Sequence, residues 1–344
     1  MLGIDGRALR VAWTVFLFAL VAALVYSIRT TLVVFLLAVF LAHLIAPLVN
    51  RVDGWLPARI PRTLALGIVY LALVGGALAV LIPVGARIGE QAAALAGKLP
   101  EALRQDPLSH LPLPSWLEQV RPYLTDKLRT SVEELGKTML PMLTEIGASI
   151  VAGFGNVLAV ALIPVLSFFF LKDGRALRDA IVEAAPEESR QMVEEILTGL
   201  HLLVAQYIRA LVLLAIVSFA AHSLFLSVAG VPYPILLAGI AGILEFIPVV
   251  GPLSAAAVML VVAAFSGFPH LLWIVIFLIV FRVFQDYVVS PQLMSAGVEI
   301  HPLLVLFGVL AGEQVAGIPG MFFSVPAMAA LRVVVVRLRR HTVE

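Results

Sequence analysis

The length of the apolar runs constrains this chain more than anything else in it. Val11–Ile28, Leu32–Val49, Thr63–Val84, Ile150–Leu171, Leu203–Val228 and Leu271–Val289 are long stretches with little or no charge. About 18 or more apolar residues are enough to cross a hydrocarbon core of about 30 Å, and more than a buried helix needs. Hydrocarbon offers backbone groups no partner, so such segments must be helices or strands of a closed barrel. Alternation with a period of two is absent, which selects helices. Composition agrees: 61% of the residues are hydrophobic and 13% charged, where a soluble domain has about a quarter charged. A soluble enzyme with one ordinary core is excluded. The formal net charge of +1 gives no bulk field for nucleic acid. The absence of cysteine removes disulfides, thiol catalysis and thiolate metal sites. No phosphate loop, His-Glu-x-x-His or Gly-x-Ser-x-Gly occurs, so the usual ATPase, metalloprotease and serine-hydrolase signals are missing. No catalytic residue, metal site or cofactor is expected.

Val11–Ile28 follows Arg7 and Arg10 as a signal peptide would, but no small-residue cleavage pattern follows Val25-Tyr26-Ser27. It reads as a retained span. After Val84 the composition turns polar, and residues 87–147 form a water-exposed insert. Within it Leu117, Val120, Leu124, Leu128, Val132, Leu135, Met139, Leu143 and Ile146 recur at steps of three and four, an amphipathic helix. Ser115 with Glu118 three positions on can cap its start. The stripe packs either on its own neighbours or on a membrane surface or second subunit. Leu171-Lys172-Asp173-Gly174 ends the fourth span, and a short acidic helix follows at about 175–200. Arg51, Arg59 and Arg62, then Lys172, Arg175 and Arg178, then Arg337, Arg339 and Arg340 mark the loops and tail on one side. The expectation is that both termini are cytoplasmic and the insert external.

The chain after residue 230 does not divide into ordinary spans. Pro234–Ile247 breaks at Pro248-Val249-Val250-Gly251-Pro252 before Leu253–Phe265. At 1.5 Å per residue neither piece crosses the core, so the pair reads as a hairpin that enters and returns on one side. Pro302–Ala316 and Met321–Val336 flank a second break, Gly317-Ile318-Pro319-Gly320, with arms long enough that a pair of true spans stays open. The two patterns align at an offset of 68 residues, matching Tyr233-Pro234 with His301-Pro302, Glu245 with Glu313 and Leu203 with Leu271. A span reverses sides and a hairpin does not, so the second unit is inverted. Inverted repeats with broken membrane helices point to secondary transport at the midplane.

Ionised groups in apolar runs cost about 2.5–3.5 kcal/mol each on insertion scales and need a reason. Glu245 and Glu313 lie just before the two breaks. They either bind solute or protons in a wet cavity, or cap broken helix ends. Arg282 and Asp286, four apart, can pair on one helical face beside Gln285, as a structural pair or as a coupling element. His43 and His222 are lone histidines that read as satisfied buried groups before they read as a proton relay. Arg209 can snorkel to the interface.

Several stretches in the second half resemble the autoinducer-2 exporter (AI-2E) family of PerM-like permeases. They are Phe169-Phe170-Leu171-Lys172-Asp173-Gly174, Gly230-Val231-Pro232-Tyr233, Glu245 to Pro252, Asp286-Tyr287-Val288-Val289-Ser290-Pro291, His301-Pro302-Leu303, and Gly312 to Met321 with Val325-Pro326. They run in family order over about residues 165–335. The resemblance implies a bacterial-type inner-membrane permease exporting a small solute, autoinducer-2 in the namesake and sodium or protons in some relatives. It also implies a homo-oligomer, plausibly a pentamer. Ala210-Leu211 follow Arg209 where the family often has Gly-Gln.

The expected fold is an all-α polytopic membrane protein with about six full spans and two broken helical hairpins in an inverted repeat. Its parts are spans one to three at 1–86, the insert at 87–148, span four with the acidic helix at 149–202, repeat units at 203–268 and 269–338, and a basic tail at 339–344. The expected binding residues are Glu245, Pro248, Gly251 and Pro252 facing Glu313, Gln314, Gly317 and Gly320. Arg282, Gln285 and Asp286 form a neighbouring cluster. The function expected is export of a small polar solute, with sodium(lithium)/proton antiport or a non-transporting scaffold as alternatives. The expected partners are the solute, H+ or Na+, the bilayer and further copies of the chain, but no nucleic acid.

Overall fold

The structure is a computed structural model that describes residues 6–55, 61–102, 157–289 and 301–341, with isolated positions between 121 and 137. The described residues are almost wholly helical. The chain order is α1 (Gly6–Ser27), α2 (Arg29–Trp55), α3 (Arg62–Ala102), α4 (Val157–Ala184), α5 (Arg190–Val228), α6 (Pro234–Leu244), α7 (Val250–Phe265), α8 (Leu271–Phe284) and α9 (Pro302–His341). Five stretches among the described residues are long and apolar enough to cross a membrane: Arg29–Trp55, Leu66–Lys98, Glu187–Val228, Leu271–Val289 and Leu303–Val336. This is an all-α polytopic membrane protein, and large apolar side chains such as Phe18, Leu71 and Leu224 are exposed for lipid.

Helix limits differ from the hydropathy boundaries in three places. The Ile28 amide donates to the Leu24 carbonyl and the Leu32 amide to the Ile28 carbonyl, so helical bonding carries through the α1–α2 junction. The chain does not reverse between residues 28 and 32, as two adjacent crossings would require. Helix α3 continues for 41 residues, past Val84 into the polar stretch. At about 61 Å it is twice the thickness of the hydrocarbon core. Residues 175–200 are not a separate acidic helix. The first ten extend α4 and the last eleven begin α5, with a 3-10 turn at Glu187–Ser189 between the two helices. Across that turn Arg178 donates to Glu194 Oε1 (2.9 Å) and to Thr198 Oγ1 (3.1 Å). All nine residues of the amphipathic stripe at 117–146 lie outside the described residues.

Helix α5 is the mast on which both hairpins pack. Gly242 of α6 approaches it so closely that an added Cβ would sit 3.2 Å from the Ala215 carbonyl oxygen and from the Phe219 Cβ. Gly199 of α5 faces Val333 of α9. The main apolar cluster joins Ile88 and Ala92 of α3 to Leu226, Leu236, Leu237, Ile240, Met259 and Ile274. A second cluster, with Ile45, Val49, Leu66 and Tyr70, joins α2 to α3 and takes in Phe168 of α4. There the Tyr70 hydroxyl donates to the Pro164 carbonyl (2.9 Å). The outer end of α3 also caps the first hairpin. The N-cap residue of α6, Tyr233, supplies no side-chain bond, and Gln91 Oε1 instead accepts the Leu236 amide (2.8 Å).

Both expected breaks occur. Helices α6 and α7 are 11 and 16 residues long, about 17 and 24 Å, each short of the core thickness. The first break covers 245–249, because Val250, Gly251 and Pro252 already belong to α7. Helix α9 leaves helical geometry at Ala316 (φ −142°) and Gly317 (φ 62°). A Cβ on Gly308 would meet Met328 and come 3.6 Å from the Ser324 Cβ, and one on Gly312 would meet the Gly320 backbone. Residues 302–315 and 318–341 therefore fold back against each other. Gly317 takes a left-handed φ that favours glycine.

This folding-back is testable by cross-linking, since the chain has no cysteine of its own. Gly308→Cys with Met328→Cys should form a disulfide on mild oxidation, seen as a mobility change on a non-reducing gel. A straight helix would hold the two positions about 30 Å apart and give none. Gln91→Ala should lower the melting temperature by an amount corresponding to about 1 kcal/mol, as loss of a helix cap does.

Candidate functional site

The tip of the first hairpin is built by backbone bonds that replace the interrupted helix. The amides of Glu245, Phe246 and Ile247 donate to the carbonyls of Ala241, Ile243 and Leu244, and Gly251 donates to Ile247. Val249 stands at φ 64°, ψ −57°, and the Val250 amide donates to the Pro248 carbonyl at 2.7 Å. That is a γ-turn of the rare positive-φ kind, which is strained, the more so at a β-branched residue. A Cβ on Gly251 would collide with the Leu244 carbonyl, so only glycine lets the tip close this tightly.

The turn carries Glu245 to the protein side of the tip, where it is 8% exposed. Helix α8 meets it with a π-helical turn at Gln285–Val289. Gln285, the first residue of that turn and four after buried Phe281, is 3% exposed, and its Nε2 donates to Glu245 Oε2 at 2.8 Å. Such π turns recur at functional sites. From α5, Ser218 reaches the same cleft wall as Glu245. His222, one turn further along, is fixed by its Nδ1–H donating to the Ser218 carbonyl (2.8 Å) and by the rings of Phe277 and Phe281 at 5.2 and 4.8 Å. Because that carbonyl can only accept, the ring proton is on Nδ1 and Nε2 is the acceptor when the ring is neutral. Arg282 Nε donates to Asp286 Oδ2 at 2.9 Å, and both side chains are half exposed.

These groups line one partly open cleft of about 450 Å³ between α5, the first hairpin and α8. Most of its wall is carbon, including Leu253, Leu278, Phe281 and Val283. Of the expected binding residues, the cleft brings together Glu245, Pro252, Arg282, Gln285 and Asp286. Pro248 and Gly251 shape the tip behind it. Glu313, Gln314 and Gly317 are exposed at the second tip, and Gly320 packs on Gly312. None of these four lines the cleft. The two tips are nonetheless neighbours, because Phe246 stands edge-on to Phe322 at 5.6 Å and Phe322 meets Phe40 at 5.0 Å.

Sequence reading missed Ser218 altogether and took His222 as a lone buried histidine. Their spacing of four in the fifth span was the available signal. His43 is not alone either. Its Nδ1–H donates to the Val39 carbonyl (2.8 Å), so its Nε2 accepts from His201 Nδ1 (3.0 Å). Arg209 Nε donates to its own helix at the Ala205 carbonyl (2.9 Å). No cluster of three metal-ligating side chains occurs among the described residues.

A membrane-embedded acid at a broken helix tip, facing a cleft, is the arrangement of a solute-transport protein. Comparison with known proteins agrees. A sequence profile of the AI-2E family transporters matches residues 14–340, and the chain belongs to this family, whose role is membrane transport. It is 24% identical over 325 residues to "Putative transport protein YrrI" of Bacillus subtilis, covering 92% of this chain and 89% of the relative. It is 26% identical to "Putative transport protein YueF" of the same organism, with 92% and 89% covered. "Putative permease PerM" of Escherichia coli K12 is 25% identical, over 59% of this chain and 60% of the relative.

A double-mutant cycle on Glu245→Ala and Gln285→Ala, read by thermal unfolding in detergent, should return a coupling of about 1–2 kcal/mol. Additive losses would show that the 2.8 Å contact contributes nothing to the tip.

Proposed function

We propose that the protein is a secondary transporter that moves a small organic solute through this cleft by alternating access, with the tip of the first hairpin as its moving part. The carrying observation is Glu245, a buried carboxyl at a helix break, held by the neutral Gln285 amide and facing a cleft of about 450 Å³. Sites of this size bury most of a small ligand and orient it with few polar groups. Family membership supports a transported solute. An autoinducer-2-like molecule would place hydroxyl groups on Glu245 and on peptide groups freed near Pro248, Gly251 and Pro252. Glu313 and Gln314, at the tip shaped by Gly317 and Gly320, take part in the alternate state, when the second tip faces the solute. The contact between Phe246 and Phe322 supports a mechanical link between the tips. Arg282 and Asp286 neutralise each other at the mouth. Both termini face the cytoplasm of a bacterial-type inner membrane in this reading, on the strength of the Lys and Arg in the short loops.

The test is flux in proteoliposomes loaded with autoinducer-2, with and without a pH or sodium gradient. Gradient-driven efflux should fall about tenfold or more in Glu245→Gln and in Glu313→Gln, as loss of one charge-assisted bond implies. Efflux unchanged in both variants would overturn the reading. Sodium or lithium flux without solute flux would replace it by cation/proton antiport.

A further inference from the structure

The cleft's polar groups have a consistent sign, and this says which solutes it suits. Arg282 and Asp286 bond to each other at 2.9 Å and cancel. His222 commits its Nδ1–H to a carbonyl and keeps an acceptor at Nε2. That leaves Glu245 as the one formal charge on the wall without a cationic partner in hydrogen-bond contact, bound instead by the Gln285 amide. A lining with one net negative charge disfavours anions.

The rest of the wall narrows the class further. Leu253, Leu278, Val283 and the ring of Phe281 present carbon. A solute pairs its polar groups at the Glu245 end and finds none along this carbon wall, so the part that lies there must be apolar. A bare metal ion is also a poor fit. The cleft is far larger than one ion, and the described residues hold no cluster of three metal-ligating side chains. An organic cation satisfies both halves of the site. Its charge pairs with Glu245, and its apolar body lies on the carbon wall.

We propose that the cleft also accepts lipophilic organic cations, molecules with a single positive charge on an apolar body, with Glu245 as the counter-charge and the α7–α8 wall as the apolar seat. This rests on the reading of the cleft as the solute site but not on any one transported compound.

The test uses the full chain in lipid nanodiscs and equilibrium dialysis of tetraphenylphosphonium, with empty nanodiscs subtracting partition into lipid. Tetraphenylborate, of the same shape and opposite charge, is the competitor. Saturable phosphonium binding is expected, with affinity at least about tenfold weaker in Glu245→Gln and no displacement by the borate. Absence of saturable binding, equal binding in the variant, or equal competition by the borate would overturn the proposal. Should Glu245→Gln fail to fold, Leu253→Trp decides the matter, because it fills the wall without touching the charge. Lost binding supports the proposal, and unchanged binding refutes it. Autoinducer-2 efflux that depends on Glu245 in protein that binds no phosphonium would sink the cation site and leave the transport reading standing. Saturable, Glu245-dependent binding in protein that moves no solute would do the opposite.

Discussion

Hydrocarbon cannot hydrogen-bond to a peptide group, and each part of this structure answers to that fact. An unbroken helix meets the requirement without help, which is why α2, α3 and α5 can leave most of their side chains to lipid. A helix that stops inside the membrane must find new partners for its last carbonyls. At the first tip the carbonyls of Ala241, Ile243 and Leu244 are taken up by the three amides that follow α6, and Gly251 is pressed against Leu244. At the second tip the Gly312 and Gly320 backbones close on each other. The glycines are there because the chain has to approach itself to within a Cβ radius. At the other end of α6 the solution comes from a distant helix, through Gln91.

This division explains what could be read from the sequence. The breaks at Pro248–Pro252 and Gly317–Gly320 were legible because they are local backbone chemistry, written in adjacent residues. Hydropathy likewise marked which stretches meet lipid. It did not mark where helices end, since a helix is free to continue into water. Hence α3 outruns Val84, α4 outruns Gly174, and α1 runs on into α2. The site was half legible. Glu245, Arg282, Gln285 and Asp286 were found as polar residues in an apolar setting. Their partners were not, because the contact of Gln285 with Glu245 and that of His43 with His201 join residues 40 and 158 positions apart. No periodicity encodes such pairings. The π turn that begins at Gln285 has no short-range signature in this sequence either.

The two acids aligned by the internal repeat have different surroundings. Glu245 is buried with the Gln285 amide as donor, whereas Glu313 is exposed. Equivalent sequence positions in unlike environments fit the proposed alternating access, in which the two tips would open in turn. The aromatic contact between Phe246 and Phe322 joins the regions that would have to move in opposite senses, and Phe40 ties that contact to α2.

The first tip is held by terms of similar size and opposite sign. A left-handed β-branched residue such as Val249 costs of order 1–3 kcal/mol. A hydrogen bond to a charged group returns about 1.5–3 kcal/mol, and the bond from Gln285 to Glu245 is the one that ties this tip to α8. When the opposing terms are this close, the conformation of the tip depends on which partner Glu245 has. A solute that offers the carboxyl a better donor than Gln285 removes the tie and leaves the strain at Val249 uncompensated. Recognition and movement would then be one event at one residue, with no longer-range relay needed between cleft and hairpin.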